Sequence, residues 1–328
     1  VSVALTCLGA ALGLAAATNY RIITRYPVAG TGGWDYITLD ESARRLYVSH
    51  ATRVEVLDAD SGKPVGVIPD TPGVHGVAIA APFKHGFTSN GREHKVSMFD
   101  PATLKLIRKI DVGQGPDGIY YEPATKRVFT NNHGTHDITA IDAATGNVVG
   151  TVKLAGDGEQ AVIGKDGLIY VNVEDAAEVV VFDPRALVVK RRMPIGVAET
   201  PTALAYDAQT NQLFIACREK PMLVVMDATS GKVTAHFPIE AGVDYAGFDA
   251  TARRLFFACG AGTLHFFDVK ASGQVVDAGT LATQPSAKTL AFDAKTGRIF
   301  LPAAEYVSGA DGKRAVKPGS FTVLVVGK

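Results

Sequence analysis

Residues 248–268 read FDATARRLFFACGAGTLHFFD, and residues 39–58 read LDESARRLYVSHATRVEVLD. The two stretches share one plan. An apolar residue and an acid close a short run, a polar turn with two arginines follows, then two apolar strands separated by a second turn. The phrase that ends the second of these strands recurs as VEVLD, VSMFD, ITAID, VVVFD, LVVMD and LHFFD, placing its acid at Asp58, Asp100, Asp142, Asp183, Asp227 and Asp268, with spacings of 42, 42, 41, 44 and 41. A period of this length is the mark of a repeat architecture. A further copy, FTVLVV at 321–326, follows a longer gap and lacks the acid.

Each repeat holds four short apolar runs, as in VAIA, GFTS, KVSMFD and LKLIRKI, broken by turns such as DADSGK, DAATGN and DATSGK. Alternating short runs between turn signals read as strands, and no stretch sustains a helical period over three turns. The expected fold is therefore all-β, a seven-bladed β-propeller of four-stranded antiparallel blades. Its two ends explain each other. YRIITRYPV at 20–28 aligns with outermost strands elsewhere although no blade precedes it, while the last blade stops at its third strand. The N-terminal strand is expected to complete the last blade and remove its free edge.

The second strand of the successive repeats reads YVSH, FTSN, FTNN, YVNV, FIAC, FFAC and FLPA. This series resembles the YVTN-repeat β-propellers, the YncE-like proteins of bacterial envelopes. The resemblance runs from about residue 20 to the end; FTSN is the nearest copy and FLPA departs most. It implies the propeller and export, and carries no shared catalytic motif. A propeller hosts many functions, so function has to be argued from a site.

The first 17 residues, VSVALTCLGAALGLAAA, are apolar and end in small residues, like the hydrophobic part of a secretory signal that starts upstream. They are too short, and too rich in Gly and Ala, for a stable membrane span. The expected division is a signal peptide at 1–17 and one propeller domain at 18–328, in the periplasm or outside the cell.

Lys plus Arg equals Asp plus Glu at 33 each, which argues against nucleic acid or anionic lipid as a partner. There is no G-x-S-x-G elbow, no P-loop and no C-x-x-C-H, so nucleotide and haem are not expected. A quinone cofactor is not expected either, because quinoprotein propellers carry a tryptophan in most blades and Trp34 is the one tryptophan here. Cys217 and Cys259 share a column of adjacent blades. Packed sheets lie about 10 Å apart and a disulfide needs Cα atoms within about 7 Å, so both are expected as free thiols.

The most informative column lies five residues before the end of each innermost strand: Asp35, His75, Asp117, Glu159, Thr202, Asp244 and Lys288. All seven are polar, and the sevenfold geometry should gather them at one mouth of the central channel. The bland expectation is that they stitch adjacent blades through backbone hydrogen bonds. The sharper one is an acidic funnel that would suit a divalent metal as cofactor, or a cationic or polyhydroxylated ligand. The loops after the second strands should open on the same face and add Asn90, Arg92, His136, Glu174, Arg218 and Glu305 to a ligand-binding set. His75, Asp117, His136 and Glu159 are the candidate metal ligands, with the two histidines of HGTHD at 133–137 placed near His75. The insertion at 304–319 could offer Lys313, Arg314 and Lys317 as a flap. Three functions stay open: a non-enzymatic propeller binding a small molecule, metal or protein partner; a lactonase-like or other metal-assisted hydrolase; and a protein-interaction scaffold. The sequence does not decide whether the chain is an enzyme, and it assigns no catalytic residue.

Overall fold

A computed structural model describes residues 19–308 and 314–328. The expected signal segment at 1–17 lies outside the described residues. The described residues form seven four-stranded antiparallel sheets and one two-stranded hairpin. Blade one comprises Ile37–Asp40, Arg45–His50, Arg53–Asp58 and Pro64–Ile68, in spatial order from the axis outward. The other innermost strands are Val74–Ala80, Pro116–Glu122, Gly158–Ile163, Pro201–Asp207, Val243–Asp249 and Ala291–Asp293. The seven-bladed all-β expectation is correct.

Burial explains why the strands of one blade differ in sequence. The middle strands are covered on both faces by neighbouring blades, so they read as near-continuous apolar runs such as Leu213–Cys217, every residue buried. The outermost strands meet solvent, and Leu106–Asp111 accordingly buries only Ile110. The repeated acid is a turn residue: Asp58 Oδ1 accepts the Ser61 N–H at 2.8 Å, and Asp142 Oδ1 accepts the Thr145 N–H at 2.8 Å.

Blade seven is built from both ends of the chain. Arg21–Pro27 pairs antiparallel with Thr322–Gly327, which pairs with Arg298–Ala303 and so with Ala291–Asp293. Tyr26 faces Val323, and its hydroxyl donates to the Asp60 carbonyl of blade one at 3.0 Å. A Cβ on Gly62 would sit 2.2 Å from the Tyr26 ring, and its φ of +71° is one that glycine adopts readily. That turn is thus shaped around the closing strand.

The insertion after FLPA forms the hairpin of Tyr306–Ser308 with Arg314–Val316. Lys317 donates to Glu305 at 2.6 Å, so its charge is spent within the insertion. Lys313 and the Arg314 side chain lie outside the described residues. Cys217 and Cys259 are free and fully buried, as blade spacing requires. Among the described residues no helix is long and apolar enough to cross a membrane.

Candidate functional site

The innermost strands start irregularly, and that irregularity builds the site. Register with the second strand slips between Val74 and Val77, Pro116 and Ile119, Gly158 and Ala161, Pro201 and Ala203, and Val243 and Tyr245. The residues inside these bulges include His75, Asp117, Glu159, Thr202 and Asp244, five of the seven in the polar column. A bulge re-aims a side chain, which here takes these residues out of the strand's regular alternation at the channel mouth.

Around the ring, His75 Nδ1 lies 2.7 Å from Asp35 and 3.2 Å from Asp117. Lys288 Nζ lies 3.1 Å from Asp35 and 2.5 Å from Asp244. Arg218 donates to Asp244 and reaches Glu174 at 3.4 Å. His133 stands 4.0 Å from the carboxylates of both Asp117 and Glu159, while its Nε2 donates to the Gly158 carbonyl at 2.9 Å. The structure therefore joins nine residues: Asp35, His75, Asp117, His133, Glu159, Glu174, Arg218, Asp244 and Lys288.

Five of the nine are carboxylates, facing two permanent cations and two imidazoles. The neutralisation is uneven. Lys288 and Arg218 serve Asp35, Asp244 and Glu174, while Asp117 has its Oδ1 buried without a partner. The titration tendencies follow that asymmetry. Burial would raise the Asp35 carboxyl, but the His75 hydrogen bond and the Lys288 charge together hold it below the ordinary range. Asp117 is pushed up by burial, with Asp35 adding to the rise and His75 opposing it. Glu159 is pushed well up by burial, then by Asp117 and by a hydrogen bond to Glu174. His75 is drawn up, because the Asp35 hydrogen bond and the Asp117 charge outweigh burial.

Hydrogen bonds from side chain to backbone between blades come mostly from another column. The third position of the YVSH-type phrase supplies Ser89, which donates to the Asp117 carbonyl, Asn131, which donates to the Glu159 carbonyl at 2.7 Å, and Asn172, which donates to the Ala203 carbonyl at 3.0 Å. Thr202 does stitch, donating to the Val243 carbonyl at 2.8 Å. The stitches hold the backbone of Asp117 and Glu159 and leave their carboxylates to the channel. The repeat phrase carried this signal in its Ser and Asn column.

The remaining predicted residues lie apart from the ring. Asn90 is fully buried in blade two and donates to Glu93 and Ser97. Arg92 packs over Gly73, and Glu305 holds Lys317. His136 is 3.0 Å from Asp157 in a separate group with Asp175, so it does not join His75; the other histidine of HGTHD, His133, turns to the ring. Asp35, His75 and Asp117 bring ligand atoms within 4.8 Å of one another, the spacing a metal ion needs, with Glu159 outside that group.

Below the ring the channel is crossed by polar and aromatic side chains. Gln160 accepts the N–H groups of Leu204 and Ala246 and donates to the Ala246 carbonyl at 3.0 Å, tying blade four to blades five and six. Tyr36 and Tyr245 meet edge to face at 5.7 Å. Sequence reasoning missed all three, because adjacent residues in a strand do not disclose which of them reaches across an axis.

Comparison with known proteins agrees with this architecture. A search of curated proteins gives no match. Among solved structures the chain is similar to Kuenenia stuttgartiensis hydrazine synthase, with a TM-score of 0.72 and 15% identity over 89% of this chain and 97% of that one, a likeness of fold. Residues 66–299 match the profile of the YNCE-like beta-propellers, and the chain belongs to that family.

Proposed function

We propose that the protein is an exported, non-enzymatic binding propeller that takes a cationic ligand at the polar mouth of its channel. The observation that carries this reading is the buried Asp117 Oδ1, which has no hydrogen-bond partner, beside Glu159, where neither Lys288 nor Arg218 donates a hydrogen bond. A buried carboxylate oxygen without a partner is costly, and a cation held there would relieve both acids at once. Export rests on VSVALTCLGAALGLAAA and on the envelope proteins the repeats resemble.

The grouping of Asp35, His75 and Asp117 supports a second reading, in which the cation is a divalent metal that activates water in a hydrolase. One experiment separates these outcomes. The purified chain is melted and titrated calorimetrically with Mg²⁺, Ca²⁺, Mn²⁺ and Zn²⁺, and in a parallel arm with primary amines and polyamines. A ligand at a hundred times its dissociation constant adds about 2.7 kcal/mol of stability. Stabilisation in either arm that vanishes in the Asp117→Asn, Glu159→Gln double variant supports the cation site, and the arm identifies its chemistry. Chelator-sensitive turnover of lactones or esters would select the hydrolase. A double variant that is more stable than the parent and indifferent to every cation overturns the proposal.

A further inference from the structure

The channel has a second mouth, and its chemistry is the reverse of the first. The residue just before the end of the innermost strand is Leu39, Ile79, Tyr121, Tyr206, Phe248 or Phe292 in six blades, and Ile163 is the last strand residue in blade four, so a large apolar or aromatic side chain stands there in each of the seven. None is fully buried, and Ile163 is 38% exposed. Every member also lines one of three neighbouring cavities of about 330, 280 and 320 Å³, which share Leu39, Gln160 and Tyr245 among their walls. Six of the seven also pack against the blade–blade cores, Phe248 on Phe214 and Phe292 on Phe256 among them, so it is the part of each side chain left open to the channel that forms the apolar rim.

We infer that this second mouth is a binding funnel for a small uncharged molecule with an apolar body, seated against the ring of seven and reaching up the channel toward Tyr36 and Gln160. Size favours a small molecule, because the cavity of about 330 Å³, walled by Leu39, Ile79 and Tyr121 of the ring together with Tyr36, Gln160 and Tyr245, falls in the range of small-ligand pockets. Charge favours an uncharged one. The acids that immediately follow the ring, Asp40, Glu122, Asp207, Asp249 and Asp293, each accept N–H groups of their own turns. Arg253 is committed to Asp207, and Arg44 to Asp60 and Asp293. These five acids and two arginines thus spend their charges within the turns of the rim. Polar capacity lies at the inner end, where the same cavity touches Tyr36, Glu159 and Gln160, so a hydrogen-bonding group at one end of the ligand would find its partners there. The funnel does not depend on a cation at the other mouth.

The test uses N-phenyl-1-naphthylamine, an uncharged aromatic dye that brightens in apolar surroundings, titrated into the purified chain and followed by fluorescence and calorimetry. The expected result is saturable binding of one equivalent. Ile163→Asp places a carboxylate in the ring at its most exposed member and should weaken the dye about tenfold or more, because a charge loses its hydration there. Val65→Asp makes the same chemical change on an outermost strand, where Val65 is 43% exposed, and should leave binding within about twofold of the parent. Melting curves check that both variants remain folded; should Ile163→Asp unfold, Ile163→Ser serves in its place. Binding that does not saturate, or that weakens equally in Val65→Asp, overturns the funnel. So does a chain that ignores the dye but self-associates by sedimentation in a manner lost on Ile163→Asp, which would make the ring a contact between copies.

Discussion

Lys288 Nζ lies 2.5 Å from the Asp244 carboxylate and 3.1 Å from that of Asp35, so one side chain on blade seven holds acids on blades six and one. Asp244 is 5% exposed, whereas the Lys288 side chain is 38% exposed. Removing one partner of a buried pair costs about 3–5 kcal/mol, and solvent at Lys288 screens part of that. Lys288→Met is expected to cost about 2 kcal/mol in denaturant titration. An unchanged midpoint would mean that Arg218 alone suffices for Asp244.

Glu159 supplies a pH test. Its folded-state carboxyl titrates well above the ordinary range because of burial and Asp117. A raised folded value gives stability that is complete below the unfolded value, about 4.3 for Glu, and is lost as pH rises through the folded value. The parent should therefore lose stability relative to Glu159→Gln as pH climbs from 4 to 8. The gap should reach the order of 1 kcal/mol, read from melting curves across pH. Curves that stay parallel would contradict the burial of a titrating acid.

Asn131 tests the stitching. Its side-chain amide donates to the Glu159 carbonyl at 2.7 Å, across the gap from blade three to blade four. Asn131→Ala leaves that carbonyl without its donor in a buried place and should cost about 1–3 kcal/mol. The same variant should perturb any ligand at the mouth, because Glu159 loses its backbone anchor.

Ring closure is tested at Tyr26. The side chain is 5% exposed and packs among Val28, Leu57, Phe300 and Val323, beneath the Gly62 turn. Tyr26→Ala should cost about 3–5 kcal/mol, the range for emptying a large aromatic site. Starting the chain at residue 29 should lower the melting temperature further and expose the edge at Thr322–Gly327. A truncated chain that melts with the parent would show that the closing strand is dispensable.

Burial pushes the thiols of Cys217 and Cys259 up to about 12. Neither should react with iodoacetamide at pH 8 in the native state, since the thiolate is the reactive form. A chain beginning at residue 18 should take two labels on denaturation without reductant, counted by intact mass. No label before reduction and two after it would reveal a bridge.

Much of this was legible in the residues. Spacings of 42, 42, 41, 44 and 41 impose a blade count, because a four-stranded sheet with two apolar faces is stable only between neighbours. YRIITRYPV without a blade before it, and FTVLVV without a strand after it, implied the closure that Tyr26 and Val323 make. The free thiols followed from sheet spacing. The polar column was also readable, since repeat register places equivalent residues at one end of the ring.

What the sequence by itself determined is periodic: strand, turn, blade and column, each set by a local pattern that recurs. What only the tertiary structure decided is how the columns meet across the axis. Lys288 and Asp244 belong to adjacent blades yet are 44 residues apart, and Lys288 and Asp35 are 253 apart. Which acid receives a cation, and which is left as Asp117 is, depends on side-chain reach over a closed ring. His133 and His136 show the same limit: they are three residues apart, and the left-handed backbone at His136, with φ of 49°, sends one to the ring and the other to Asp157. Local sequence sets the period, but charge pairing acts through space, and space is defined only once the last strand has closed the circle.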